Sequence, residues 1–169
     1  MTSNIVLPPA DTWAQRHLSA LIQASSQEDF NSAFDLFISH DVKEIILNGD
    51  KVTREEYKQK FRSQVFDERA ATVTFAGTVA SGKDALLSGG TGNIGIFYTA
   101  KYFEGIVIRD APVEVDAKSS INLVVEHDPS LKPPSLPGHG GFFDGRRVFK
   151  LNQVLVDARP PVAGVTSQA

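Results

Sequence analysis

The chain has 169 residues, 41% of them hydrophobic and 22% charged, a composition ordinary for a globular domain long enough to bury a core without staples. Its net charge of −3 and its scattered lysines and arginines give no basic footprint for nucleic acid. The lack of cysteine excludes disulfides, thiolate metal sites and cysteine nucleophiles. No apolar run approaches the roughly 20 residues of a membrane span, and the first ten residues have neither the basic region nor the apolar core of a signal peptide. The expectation is a soluble cytoplasmic protein with no membrane partner.

Residues 1–10 read as an arm ending in Pro8-Pro9, residues 11–158 as a single domain, and residues 159–169 as a disordered tail. Asp11 offers an N-cap, and Trp13, Ala14, His17, Leu18, Leu21 and Ile22 follow at helical spacing. Ser25-Ser26 breaks that helix, and Ser26 with Asp29 forms a capping box for a second helix carrying Phe30, Ala33, Phe34, Phe37 and Ile38. Val42 to Leu47 reads as a short strand stopped by Asn48-Gly49-Asp50. Thr53 with Glu56 then caps a third helix, with Tyr57, Phe61 and Val65 at one-turn steps.

After Arg69 the period becomes two. Val73, Phe75, Gly77 and Val79 share one face of a predicted strand; Ile94, Ile96, Tyr98, Ala100 and Tyr102 share a face of the next. Val113 to Val125 alternates likewise, and Asp144-Gly145 turns into a last strand over 148–157. Strands this long bend at bulges, for which Gly77, Gly95 and Gly105 are candidates. Residues 81–93 read as a mobile hairpin tip. Residues 128–141 form a Pro/Gly loop that either flanks a cavity mouth or is a surface insertion. Helices first and strands after predict an α+β fold, three helices on one face of a curved, mostly antiparallel sheet. Such a sheet closes into a cone with a cavity.

Few motifs carry chemistry. Gly89 to Gly95 spells Gly-x-x-Gly-x-x-Gly, but a pyrophosphate site needs a helix N-terminus after the glycines, and Ile94 to Phe103 alternates as a strand. A hairpin explains the string better, and no cofactor is expected. His17, His40, His127 and His139 show no i, i+4 pair, so no metal is expected. Asp116 and His127 are an odd number of residues apart, which places them on opposite faces. No Gly-x-Ser-x-Gly elbow is present.

Phe34-Asp35-Leu36-Phe37, the strand over 42–47, Asn48-Gly49-Asp50-Lys51-Val52-Thr53-Arg54-Glu55-Glu56-Tyr57 and Phe143-Asp144-Gly145-Arg146-Arg147-Val148 resemble the nuclear transport factor 2-like superfamily, in particular its SnoaL-like, ketosteroid-isomerase-like branch. The resemblance covers residues 11–157. It implies a cone of three helices over a curved sheet, often homodimeric through the sheet's outer face. Family members include isomerases, dehydratases, polyketide cyclases, binding proteins and transport adaptors. The isomerase branch has an Asp base in its first strand; here that position is Ile45, and Glu44 beside it points to the other face.

Two functions are therefore carried forward. In the first, Trp13, Phe34, Tyr57, Phe61, Tyr98 and Tyr102 line a pocket for a small apolar or aromatic molecule. The chemistry would be cofactor-independent dehydration, isomerisation or cyclisation, with His17 as the catalytic proton-transfer group. In the second, the fold is a non-catalytic dimeric scaffold or adaptor that binds another protein, and those residues are core.

Overall fold

Helix α1 (Ala10–Ile22) buries Trp13, Ala14, Leu18, Leu21 and Ile22 on a single stripe, as its periodicity predicts. Its start is two residues earlier than expected, and Asp11 is not its cap. Pro9 precedes the helix without a side-chain cap. The orphan amide of Ala10 is satisfied instead by the carbonyl of Ala85 at 2.9 Å. A tertiary partner has replaced the local one, and the Asp11 carboxylate accepts the Thr12 amide within the first turn.

Helix α2 (Gln27–Phe37) is capped as predicted, Ser26 Oγ accepting the Asp29 amide at 3.0 Å. Helix α3 (Arg54–Phe66) opens on the expected capping box: Glu56 accepts from the Thr53 amide at 2.7 Å, and Thr53 Oγ1 accepts from the Glu56 amide.

Between α2 and α3 lie β1 (Glu44–Leu47) and the two-residue β2 (Asp50–Lys51). Strand β1 begins two residues later than its sequence suggests. Their turn is left-handed at Asn48 (φ 53°) and Gly49 (φ 90°), the backbone that Asn-Gly favours in a tight hairpin. Asn48 also reaches out of the hairpin, its Oδ1 accepting the Leu155 amide at 2.8 Å.

The computed structural model describes residues 6–66, 68–108, 111–133 and 143–158. The predicted tail, loop residues 134–141 with His139, and the side chains of Val65 and Val113 lie outside the described residues. Strands β3 (Glu68–Ser81), β4 (Gly92–Ile108), β5 (Ala111–His127) and β6 (Arg146–Ala158) complete a six-stranded sheet in the order β2-β1-β6-β5-β4-β3. All neighbours are antiparallel except β1 and β6. All three helices pack against the sheet: α1 on β3 and β4, α2 on β6, and α3 on β1 and β3. The expected α+β class, with three helices over a curved and mostly antiparallel sheet, is the class observed.

Bulges bend the long strands. Register shifts fall between Phe75 and Gly77, Phe103 and Val107, and Val124 and Val125. Gly77 and Gly105 are thus at irregularities, whereas Gly95 sits in regular register. The first shift corrects the sequence reading of β3. Val73 and Phe75 pack against the core, but one extra residue reverses the alternation, and Val79 emerges on the outer face, 73% exposed.

The glycine-rich segment between β3 and β4 is a strand connection, as expected, but it is not a free tip. It runs into a strand with no helix after it, so the backbone needed to cradle a pyrophosphate is not built there. It is tied down as well: the Gly89 amide bonds to the Pro8 carbonyl, Ser88 Oγ to the Leu7 carbonyl, and Ala85 is buried. Gly90 has no room for a side chain, since a Cβ would fall 1.7 Å from the Asp84 carbonyl oxygen. The glycines permit close packing of this loop on the N-terminal arm.

Candidate functional site

The predicted site residues fall into two groups. The first is the cone interior. Helices α2 and α3 bring Phe34, Tyr57 and Phe61 together, with ring centroids 6.2 Å (Phe34–Tyr57) and 5.9 Å (Tyr57–Phe61) apart. Strand β4 turns Tyr98 and Tyr102 inward toward them, and all three tyrosines are buried.

Their meeting point is Gln153 of β6, which is fully buried. Tyr57 Oη donates to Gln153 Oε1 at 2.7 Å; Gln153 Nε2 donates to Tyr98 Oη at 3.0 Å and to Ser119 Oγ at 2.9 Å. One amide thereby joins α3, β4, β5 and β6. Burial, reinforced by Tyr98 and Tyr102, pushes the Tyr57 phenol well above its ordinary pKa, so it stays protonated and serves as a donor. The inward residues of β1 are Ile45 and Leu47, and Glu44 faces the outer side, where it lines a groove with Ile46 and Lys150. The interior position where the isomerase branch would hold its base is therefore apolar.

Trp13 and His17 form the second group. The His17 ring lies 4.5 Å from Trp13 and is stacked on Phe37 at 6.0 Å. With Pro8, Arg16, Leu36, Phe143, Asp144 and Arg147 they line an open crevice of about 480 Å³. Burial lowers the His17 pKa to about 4, with Asp144 opposing and Arg147 and Arg146 adding to the shift.

Below the crevice, Arg146 is wholly buried. It meets Asp144 in a two-bond fork of 2.9 and 2.7 Å, donates to the carbonyls of Pro8 and Gly90, and lies 5.4 Å from the Trp13 ring. Burial tends to raise the Asp144 pKa, but the bonds from Arg146 prevail and the net shift is downward.

The His17 shift has a measurable consequence. Between its folded pKa of about 4 and an unfolded value of about 6.5, the unfolded chain binds the extra proton. Stability therefore rises with pH across that window and is lost as pH falls through it. We expect the loss to be at most on the order of 3 kcal/mol, less whatever the partial exposure of the ring relieves. Urea titrations at pH 4.5 and 7 on wild type and His17→Gln check it. An unchanged pH dependence in the variant would reject the assignment.

Sequence reasoning missed Gln153, Ser119, Arg146 and Arg147. Gln153 was detectable, because it shares the inward parity of Leu151 and Leu155 on an otherwise apolar face. Nothing in the sequence marks Arg146 as buried, since arginine is rarely buried unless its partners are supplied from distant segments. His127 is exposed at the end of β5, and His40 is exposed after α2. Among the described residues no group of three or more His, Asp or Glu is placed to hold a metal ion, and no helix is long and apolar enough to cross a membrane.

No protein-family model matches the chain, and no curated protein matches it. Solved structures do. Kfla4162 from Kribbella flavida is similar at a TM-score of 0.59 and 10% identity, over 88% of this chain and 90% of that one. AclR from Streptomyces galilaeus, a candidate hydroxylase, is similar at 0.52 and 10%, over 89% and 92%. A chain of the C. albicans Mtr2–Mex67 M domain complex is similar at 0.52 and 12%, over 87% and 93%. These likenesses show that the chain shares their fold, three helices over a curved six-stranded sheet, as the resemblance of its sequence implies.

Proposed function

We propose that this chain is a homodimeric binding scaffold, assembled through the outer face of its sheet. The observation that carries this reading is a set of large apolar side chains on the face away from the helices. Val79, Phe97, Val154 and Val156 are 73%, 49%, 56% and 61% exposed. The sheet register places Phe97 beside Ser120 and Val154 beyond it, with Val156 in the next outward row. Scattered single apolar residues need no explanation, but a patch on the open face of a sheet is the signature of an interface. The C. albicans complex is an instance of this fold within a protein assembly. Light scattering at micromolar concentration should give twice the chain mass. Phe97→Glu should weaken the dimer about 30-fold or more, as loss of a central aromatic anchor does. A wild-type monomer at that concentration would overturn the proposal.

A second reading is favoured by the Tyr57–Gln153–Tyr98–Ser119 network. An aromatic cluster with a few convergent polar groups has the residue make-up of a small-molecule site. A flat apolar molecule bearing one carbonyl or hydroxyl would take up the hydrogen bonds that Gln153 now occupies. In that reading Tyr57, held protonated, is the donor for an isomerase, dehydratase or cyclase. His17 lies with Trp13 in the outer crevice and would act only on a substrate bound there.

A further inference from the structure

We propose that the crevice between α1, the end of α2 and the turn into β6 binds a small aromatic carboxylate, held by Arg147, Arg16 and the indole N–H of Trp13. Three observations converge on it. Trp13 is 2% exposed, yet its Nε1–H has no hydrogen-bond partner. A buried donor left unpaired is costly and calls for an acceptor. Arg147 is only 9% exposed, and its hydrogen bonds go to the carbonyls of Asp35, Asp144 and Arg146. No carboxylate among the described residues forms an ion pair with it within 4.0 Å, because Asp144 is committed to Arg146 and Asp35 to Arg54. Asp128, Asp144 and Asp35 act on the Arg147 charge through space, but its printed bonds use only Nε and Nη1, which leaves Nη2 to donate to an acceptor that a ligand brings. Arg16 stands exposed at the rim, and the described residues offer it no ion pair.

The remaining walls select the rest of the ligand. Pro8, Leu36 and Phe143 are apolar, and Leu36 is 50% exposed. A further hollow of about 370 Å³ continues past Arg16, His17 and Leu36. A planar anion on a flat apolar body matches the remaining Nη2 donor of Arg147 and these surfaces. A phosphate matches less well, since Asp144 lines the same crevice and would repel its second charge.

The chain has one tryptophan, so the full-length ¹⁵N-labelled protein gives a single indole N–H resonance that reports directly on the site. Titration with sodium benzoate should move that resonance downfield and saturate, whereas neutral benzamide should not. Arg147→Lys should weaken benzoate about tenfold, the loss expected for one charge-assisted hydrogen bond. If that variant fails to fold, Arg16→Gln at the exposed rim decides, with an expected loss of about threefold. No saturable shift at tens of millimolar benzoate, or an equal response to benzamide, would overturn the proposal. Tighter binding of inorganic phosphate than of benzoate would overturn the carboxylate assignment. The site lies on the helix side of the molecule, so a wild-type monomer would reject the dimer and leave this titration unaffected.

Discussion

Arg146→Met is expected to destabilise the fold by about 3–5 kcal/mol, the cost of removing one partner from a buried ion pair. Arg146 is wholly buried and holds three separate segments: the turn at Asp144, the arm at Pro8 and the glycine loop at Gly90. Methionine fills part of the volume but takes the guanidinium from Asp144, which keeps only the backbone amide of residue 146, and from the Gly90 and Pro8 carbonyls, of which Pro8 keeps the Gly89 amide. Asp144→Asn should cost a comparable amount, because it leaves the guanidinium uncompensated. The double variant should lose less than the sum of the two, by about 2 kcal/mol or more, if the pair acts as a unit. Urea unfolding of the four proteins measures this cycle. Additive losses would mean that Arg146 contributes through packing and its carbonyl bonds alone.

Gln153→Leu is expected to cost about 2–4 kcal/mol even though leucine has a similar volume. The loss arises because the Tyr57 hydroxyl at 2.7 Å and the Ser119 hydroxyl at 2.9 Å lose the Gln153 amide in a buried site, and Tyr98 loses one of its interactions. Each unsatisfied group there costs about 1–3 kcal/mol. Adding Tyr57→Phe should recover part of the loss, since removing both polar partners together is far less costly than removing one. A Gln153→Leu protein as stable as wild type would show that the network contributes nothing to the fold.

Most of the secondary structure was legible because it is encoded locally. The capping boxes at Ser26/Asp29 and Thr53/Glu56, the Asn48-Gly49 turn and the period-two strands need only their own neighbours to form, and each is present. Departures from expectation occur where a distant segment intervenes. Ala10, not Asp11, opens α1 because its amide finds Ala85. Val79 faces outward because a bulge between Phe75 and Gly77 reverses the parity. The glycine segment is anchored because Leu7, Pro8 and Arg146 reach it.

The order of amphipathic helices and alternating strands determined the α+β class and the inward aromatic set of Phe34, Tyr57, Phe61, Tyr98 and Tyr102, since periodicity alone selects the face each residue takes. Only the tertiary structure decided that Gln153 ties three of those elements together, that Trp13 and His17 stand apart from the tyrosines, and that Arg146 and Arg147 lie beneath them. The physical reason is that a buried charge or amide depends on partners remote in sequence. Arg146 meets Pro8 and Gly90, and Gln153 meets Tyr57, Tyr98 and Ser119. Such pairings are set by the way the sheet folds back under its helices, and no local pattern in the chain records them.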